Sequence, residues 1–200
     1  MSSLNLKFTI NTADSVMRVF TVPATIINRL PSNIDFVSYD VTKGGEVHYN
    51  DRLAIPERFD DPTPYLGYLN QWMAASAAAT PALTMTQALA IKLAVLDVFY
   101  GINRQMPFTV SISSGAFAFD PSDLAVSRYF ASVTGLSSVQ LIPMGLTAPI
   151  TLTSSDLQNV ASAFNGHDLK VLQIYAQKKA DLNALTTMTA LIAYDATIGW

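Results

Sequence analysis

Two imidazoles occur in the chain, His48 and His167. His167 stands beside Asp168 and would supply half of a metal or acid–base site. Zinc needs three or four convergent ligands, however, and neither an HxxxH nor an HxH spacing exists here. A position on a helix surface accounts for it. Asp60-Asp61 offers a carboxylate pair of the kind that holds a divalent cation, but next to Pro62 it reads more simply as a solvated turn stabilised by Asx bonding. Ser113-Ser114-Gly115 lacks the GxSxG pattern of a nucleophile elbow, and Lys43-Gly44-Gly45 lacks GxxxxGK[ST]. With no cysteine in the chain, thiolate metal sites, Cys nucleophiles and disulfides are excluded. The expectation is a protein that is not an enzyme, with no catalytic residue, no metal ligands and no cofactor.

The remaining residues with binding chemistry are aromatic. Tyr65, Leu66, Leu69, Trp72 and Met73 recur at helical spacing and share one face. Such a stripe is a buried core or a docking face more often than a ligand box. Exposed Trp and Tyr also make carbohydrate platforms, which leaves a glycan-binding alternative centred on Trp72. Phe117, Phe119, Tyr129 and Phe130 read as the lining of a second core, with Phe108 at its edge.

These residues need elements to position them. Residues 4–10 alternate apolar and polar, as a half-buried strand does. A second strand is expected from Val16 to Val22, ending at Pro23, and Ala24 to Leu30 is ambiguous between strand and short helix. Ile34 to Val41 reads as another strand, with Glu46 to Tyr49 returning after Gly44-Gly45. Residues 1–50 thus form a small, mostly β module. From 51 to 64, Pro56, Pro62 and Pro64 among acidic residues mark a linker or an ordered crossover loop.

A domain of mixed α and β character then covers 65–200, so that the fold class is α+β. A helix is expected from Tyr65 to Ala79 and another over Ala88–Tyr100, capped by Thr84 or Thr86 and closed by Gly101. Phe108–Ser113 and Ala116–Phe119 make a hairpin around Ser114-Gly115. Asp120-Pro121-Ser122-Asp123 starts a further helix to Val133 or Thr134. Val139–Ile142 pairs with Ile150–Thr153, and Ser154-Ser155-Asp156 switches the chain into a long helical pattern with a restart at Thr186-Thr187.

Composition narrows the partners. Charged residues make up 14% of the chain, against about 25% in typical soluble domains. Ser, Thr, Asn and Gln can cover the surface in their place; burial against neighbouring subunits is the other solution. The net charge of −3, with Lys178-Lys179 as the one adjacent basic pair, argues against nucleic acid. Met1-Ser2-Ser3-Leu4-Asn5 has neither a basic nor an apolar leader region, and Lys92 and Asp97 interrupt the most apolar segment, Ala88 to Ile102. No signal peptide and no membrane span are expected.

Residues 84–200 resemble an uncharacterised C-terminal domain family of tailed-bacteriophage tail-fibre and baseplate-associated proteins. An Ala-rich helix leads into the hairpin Phe108–Asp120, then the cap Asp120-Pro121-Ser122-Asp123-Leu124. The strand-to-cap segment Ile150-Thr151-Leu152-Thr153-Ser154-Ser155-Asp156-Leu157 follows, and paired helices through Thr186-Thr187-Met188 end on Trp200. The hairpin turn Ser114-Gly115-Ala116-Phe117 keeps the family's Gly and aromatic but lacks its Asp before the Gly and its His or Arg after it, and Pro143-Met144-Gly145 stands where a Trp is often found. The resemblance implies a virion structural protein of the tail, made in the host cytoplasm, that acts as an assembly or attachment adaptor and carries no catalytic residues. Its partners would be other tail proteins and further copies of itself, with contact to the host receptor left open. A fibre-assembly chaperone absent from the finished particle and a host-glycan-binding tip module are the alternatives. The candidate interface is Tyr65, Tyr68, Leu69, Trp72, Met73 and Trp200. As the last residue, Trp200 carries its carboxylate beside its ring and is expected to fold back or insert into a neighbour.

Overall fold

A computed structural model of the 200-residue chain describes residues 6–13, 15–19, 22–51, 53–79, 82–121 and 138–200. The fold is α+β. By contacts the chain divides into two units: Met1–Phe99 with Gln177–Gly199, and Tyr100–Ala176 with Trp200. The division therefore falls inside the region read as a single domain over 65–200. It does not fall at the Pro/Asp-rich segment.

The first unit is built on a six-stranded antiparallel sheet of order β3-β2-β1-β4-β5-β6. Its strands are β1 (Lys7–Asn11), β2 (Val16–Val19), β3 (Val22–Thr25), β4 (Ile34–Asp40), β5 (Gly44–Tyr49) and β6 (Glu57–Phe59). Alternation places Phe8, Ile10, Met17, Val19, Val37, Tyr39 and Val47 in the core. Two strands depart from expectation. The stretch expected as one strand to Val22 is a hairpin, and its second arm contains Pro23 opposite Arg18. Proline survives there because β3 is an edge strand, where a missing N–H costs no ladder bond. The Pro/Asp-rich segment also contributes β6, paired with β5 through Val47↔Glu57, Glu46↔Arg58 and Gly45↔Phe59.

That last pair is close. A Cβ on Gly45 would lie 2.1 Å from the Phe59 ring, so the ring occupies the space a side chain would take. Phe59 then stacks with Tyr39 (centroids 5.8 Å apart) and meets Tyr65 (5.0 Å).

A 3₁₀ turn, Thr63–Tyr65, leads into α1 (Leu66–Ala77). Leu69, Trp72, Met73 and Ser76 are buried, the i, i+3, i+4, i+7 stripe of an amphipathic helix, and α1 packs on β2 and β3. The next helix, α2 (Met85–Arg104), starts at a reciprocal cap. The Gln87 amide donates to Thr84 Oγ1 (3.3 Å), while Gln87 Oε1 accepts the Thr84 amide (3.0 Å). Gly101 does not end it: the helix continues to Arg104. By length and composition alone α2 could cross a membrane. Its Ala88, Ile91, Ala94, Val95, Leu96, Val98 and Phe99 are buried, as in a core helix.

The second unit contains the hairpin β7 (Phe108–Ile112) and β8 (Gly115–Phe119) and the pair β9 (Ser138–Leu141) and β10 (Ile150–Thr153). Ile112 pairs with Gly115, so the turn is Ser113-Ser114, one residue earlier than expected, and Gly115 takes φ +138°. The helix α3 (Ser154–Ala184) follows β10 directly. Phe108, Val110, Ile112, Phe119, Leu152, Leu157 and Val160 form one buried cluster, with Phe117, Ile150 and Phe164 packed against it. The helix expected after Asp120-Pro121, with Tyr129 and Phe130, lies outside the described residues. Last comes α4 (Met188–Ala193), capped by Thr187 Oγ1, which accepts the Ala190 amide (3.3 Å).

Candidate functional site

Among the described residues of the first unit, the charged group held most deeply is Lys92, 4% exposed on α2. Its Nζ donates to Asn70 Oδ1 of α1 (2.9 Å) and to the carbonyls of Ile192 (3.0 Å) and Tyr194 (2.8 Å). These carbonyls belong to the C-terminal end of α4, where unsatisfied acceptors and the helix dipole both favour a cation. The amine has three hydrogens and three acceptors. Burial pushes it down to about 8 from 10.5, and nearby Asp195 opposes that fall. At neutral pH it therefore remains an ammonium.

A cavity of about 300 Å³ adjoins it, bordered by Thr63, Leu66, Asn70, Val95, Asp195 and Thr197 among others. Asp195 accepts the Thr197 amide (2.8 Å) and hydroxyl (2.6 Å) through Oδ1. A lysine activated for nucleophilic or base chemistry needs an available lone pair. Here the nitrogen is committed as a donor on every side, so the arrangement ties α1, α2 and α4 together and activates nothing.

The second unit has a matching anionic node. Asp156, at the start of α3, is 2% exposed. Its carboxylate accepts the Ser113 amide (2.8 Å) and hydroxyl (2.8 Å) and the Thr153 amide (3.0 Å) and hydroxyl (2.7 Å). In return, the Asp156 amide donates to Thr153 Oγ1 (3.2 Å). This is a capping box that also grips the β7–β8 turn. The Ser113 amide, followed by the Thr153 hydroxyl, holds the carboxyl far below its ordinary 3.8. The cap was legible in Thr153-Ser154-Ser155-Asp156; its grip on Ser113 was not.

The other candidates for chemistry are accounted for by local structure. Asp61 Oδ1 accepts the Thr63 amide (2.9 Å) and hydroxyl (2.5 Å), the expected Asx turn. His48 stacks on Phe36 (4.0 Å) and meets Glu46 Oε2 at 3.3 Å. His167 is half-buried, stacks with Phe108 and bonds the Asn103 carbonyl at 3.1 Å. It sits on α3, partly exposed, with its ring packed within its unit. Its neighbour Asp168 takes Arg104 Nε at 2.6 Å, beside a cavity of about 310 Å³ that Tyr100 and Phe164 also line. Among the described residues, no group of three or more His, Cys, Asp or Glu is placed to hold a metal.

The candidate interface divides on inspection. Leu69, Trp72 and Met73 are at most 1% exposed, so they are core residues and present no docking face; this corrects the expectation for those three. A glycan platform on Trp72 goes with it. Tyr65 and Tyr68 are half-buried, and the Tyr68 hydroxyl donates to the Arg29 carbonyl (3.2 Å). Trp200 is half-buried as well. Among the described residues, the exposed large aliphatics lie elsewhere: Ile27 (90%), Leu53 (91%), Ile55 (87%) and Ile198 (67%) in the first unit, and less completely Met106, Ile142, Met144, Leu146, Leu169 and Leu172 in the second. Periodicity finds buried faces: Ile27, Leu53 and Ile55 lie in loops outside any periodic stretch, and Leu169 and Leu172 lie on α3 away from its buried stripe.

Comparisons with protein families, with curated proteins and with solved structures find no match to this chain.

Proposed function

We propose that this chain is a structural component of a tailed-bacteriophage tail, placed at the tail tip as a baseplate, fibre or fibre-connecting part, where it works as an assembly adaptor. The observation that carries the reading is the order of elements from residue 84 onward: an apolar helix, the Phe108–Phe119 hairpin, a strand entering a helix through Thr153 and Asp156, and a capped terminal helix before Trp200. Its charge-poor composition and the exposed Leu53 and Ile55 support a protein that works through contacts with other proteins. The satisfied state of Lys92 and Asp156 favours scaffold over catalysis.

Mass spectrometry of gradient-purified particles, with a label on the chain for imaging, tests the proposal. The expected result is stoichiometric recovery with tails and label at the tail tip. Abundance in the infected-cell lysate without recovery in particles would overturn it in favour of the assembly-chaperone reading.

A further inference from the structure

Residues 188–198 are held in place by groups that belong to other elements. Leu191 and Ala196 are buried, α4 packs on α1, and Lys92 of α2 donates to the carbonyls of Ile192 and Tyr194. Lys178, near the end of α3, donates to the Ile198 carbonyl. Little in the segment is stable by itself: α4 has six residues, and an isolated helix is marginal below about 12–15. Its stable seat is the bed that α1 and α2 make for it.

The link from α3 to this segment is slight. Leu185-Thr186-Thr187 is all that separates Ala184 from Met188, and both threonines are exposed. Straightening this hinge uncovers no fully buried side chain. The seat is also incompletely filled. The cavity of about 300 Å³ lies between Leu69, Asn70 and Val95 of the bed and Asp195 and Thr197 of the segment. Departure therefore forfeits fewer contacts than a close-packed seam would. A short hinge before a segment that depends on its bed invites exchange between copies, because the bed takes the same segment from either chain and every contact is kept.

We propose that residues 188–198 are exchanged between two copies of the chain, each laying its segment in the other's bed and offering its Ile192 and Tyr194 carbonyls to the other's Lys92. What the bed already holds sets the occupant. It accepts a short helix whose last carbonyls take an ammonium, and a second copy carries that helix residue for residue. Each chain both gives and receives, so the contact is two-fold. The inference rests on the adaptor reading only in supposing that the adaptor assembles through its own copies.

Unlabelled and heavy-nitrogen full chains, mixed in urea and refolded together at about 100 µM, test it. A carbodiimide then joins Lys178 to Asp195, which stand on opposite sides of the hinge and attract each other. The expected result is a dimer fraction in which about half of the Lys178–Asp195 cross-links pair one light with one heavy peptide. A run of glycines inserted after Thr186 lets the segment fold back freely. It should cut the dimer fraction at least ~10-fold and leave the far-UV circular dichroism unchanged. A parent chain that stays monomeric at about 100 µM overturns the proposal. So does a dimer whose cross-links each carry a single isotope, or one that the glycines leave as abundant. A monomeric chain recovered in particles would sink the exchange alone. An exchanged dimer absent from particles would sink the tail assignment alone.

Discussion

The Nζ of Lys92 lies 2.8 Å from the carbonyl oxygen of Tyr194, a residue 102 positions further along the chain. One ammonium thereby caps a six-residue helix that has no basic residue in its own last turn. A buried charge in the middle of a largely apolar helix is explained by what it reaches.

Replacing Lys92 with Met keeps the aliphatic stem and removes all three donors. The carbonyls of Ile192 and Tyr194 and the Asn70 amide oxygen then lose their partner, and stability should fall by about 2–4 kcal/mol at pH 7. Urea titration measures the loss. Amide exchange should rise first in residues 188–197, and a uniform rise across the chain would count against a clamp at this site.

The same lysine fixes the sign of a pH effect. Its proton is released at about 8 in the folded chain and at 10.5 in the unfolded one, so between these values the unfolded state holds a proton that the folded state lacks. Stability gained from this group should therefore rise with pH through that window, by on the order of 3 kcal/mol in full. Tyr39, pushed up to about 12 by burial and then by Asp60, Asp61 and Asp40, works in the opposite direction from pH 10.0 upward. The clean test is the slope of unfolding free energy between pH 8 and 10, which Lys92→Met should flatten.

Asp156 gives the acid limb. Its lowered pKa stabilises the fold fully above the ordinary carboxylate value of 3.8, and that contribution drains away as pH falls toward the lower folded value. Asp156→Asn should lower the thermal midpoint at pH 7 and make it less sensitive to acid, because the variant has no proton to take up. Thermal melts from pH 7 to 2 check both, and parallel curves for parent and variant would remove the carboxylate from the account.

Trp72→Ala should behave as a core truncation, costing about 3–5 kcal/mol. Equilibrium unfolding reads the cost directly. A loss below about 1 kcal/mol would mean that the indole is not packed as the 1% exposure indicates.

Sequence reading succeeded where one physical cause acts over a few residues. The alternation around Phe8 and Ile10, the Phe108–Phe119 hairpin and the cap at Thr153 are all local, and all three elements form. It failed where a distant partner decides. Pro23 reads as a strand terminator until β3 is known to be an edge, and Gly101 as a helix stop until α2 is seen to run through it. The stripe of Leu69, Trp72 and Met73 was correctly placed on one helix face, but periodicity does not tell core from interface. Lys92 left a trace, a lone cation in an apolar run. Its three acceptors lie on two other helical segments and could not be paired with it from the chain alone.

The Phe59 ring seated over Gly45 has a consequence that single variants do not show. Neither position is free to drift by itself: a side chain at 45 has nowhere to go while a ring covers it, and a small residue at 59 would uncover a bare stretch of β5. Among diverging descendants of this chain the two sites should change together, aromatic with glycine and small aliphatic with a larger partner. That correlated record would identify the β5–β6 pairing from sequences alone.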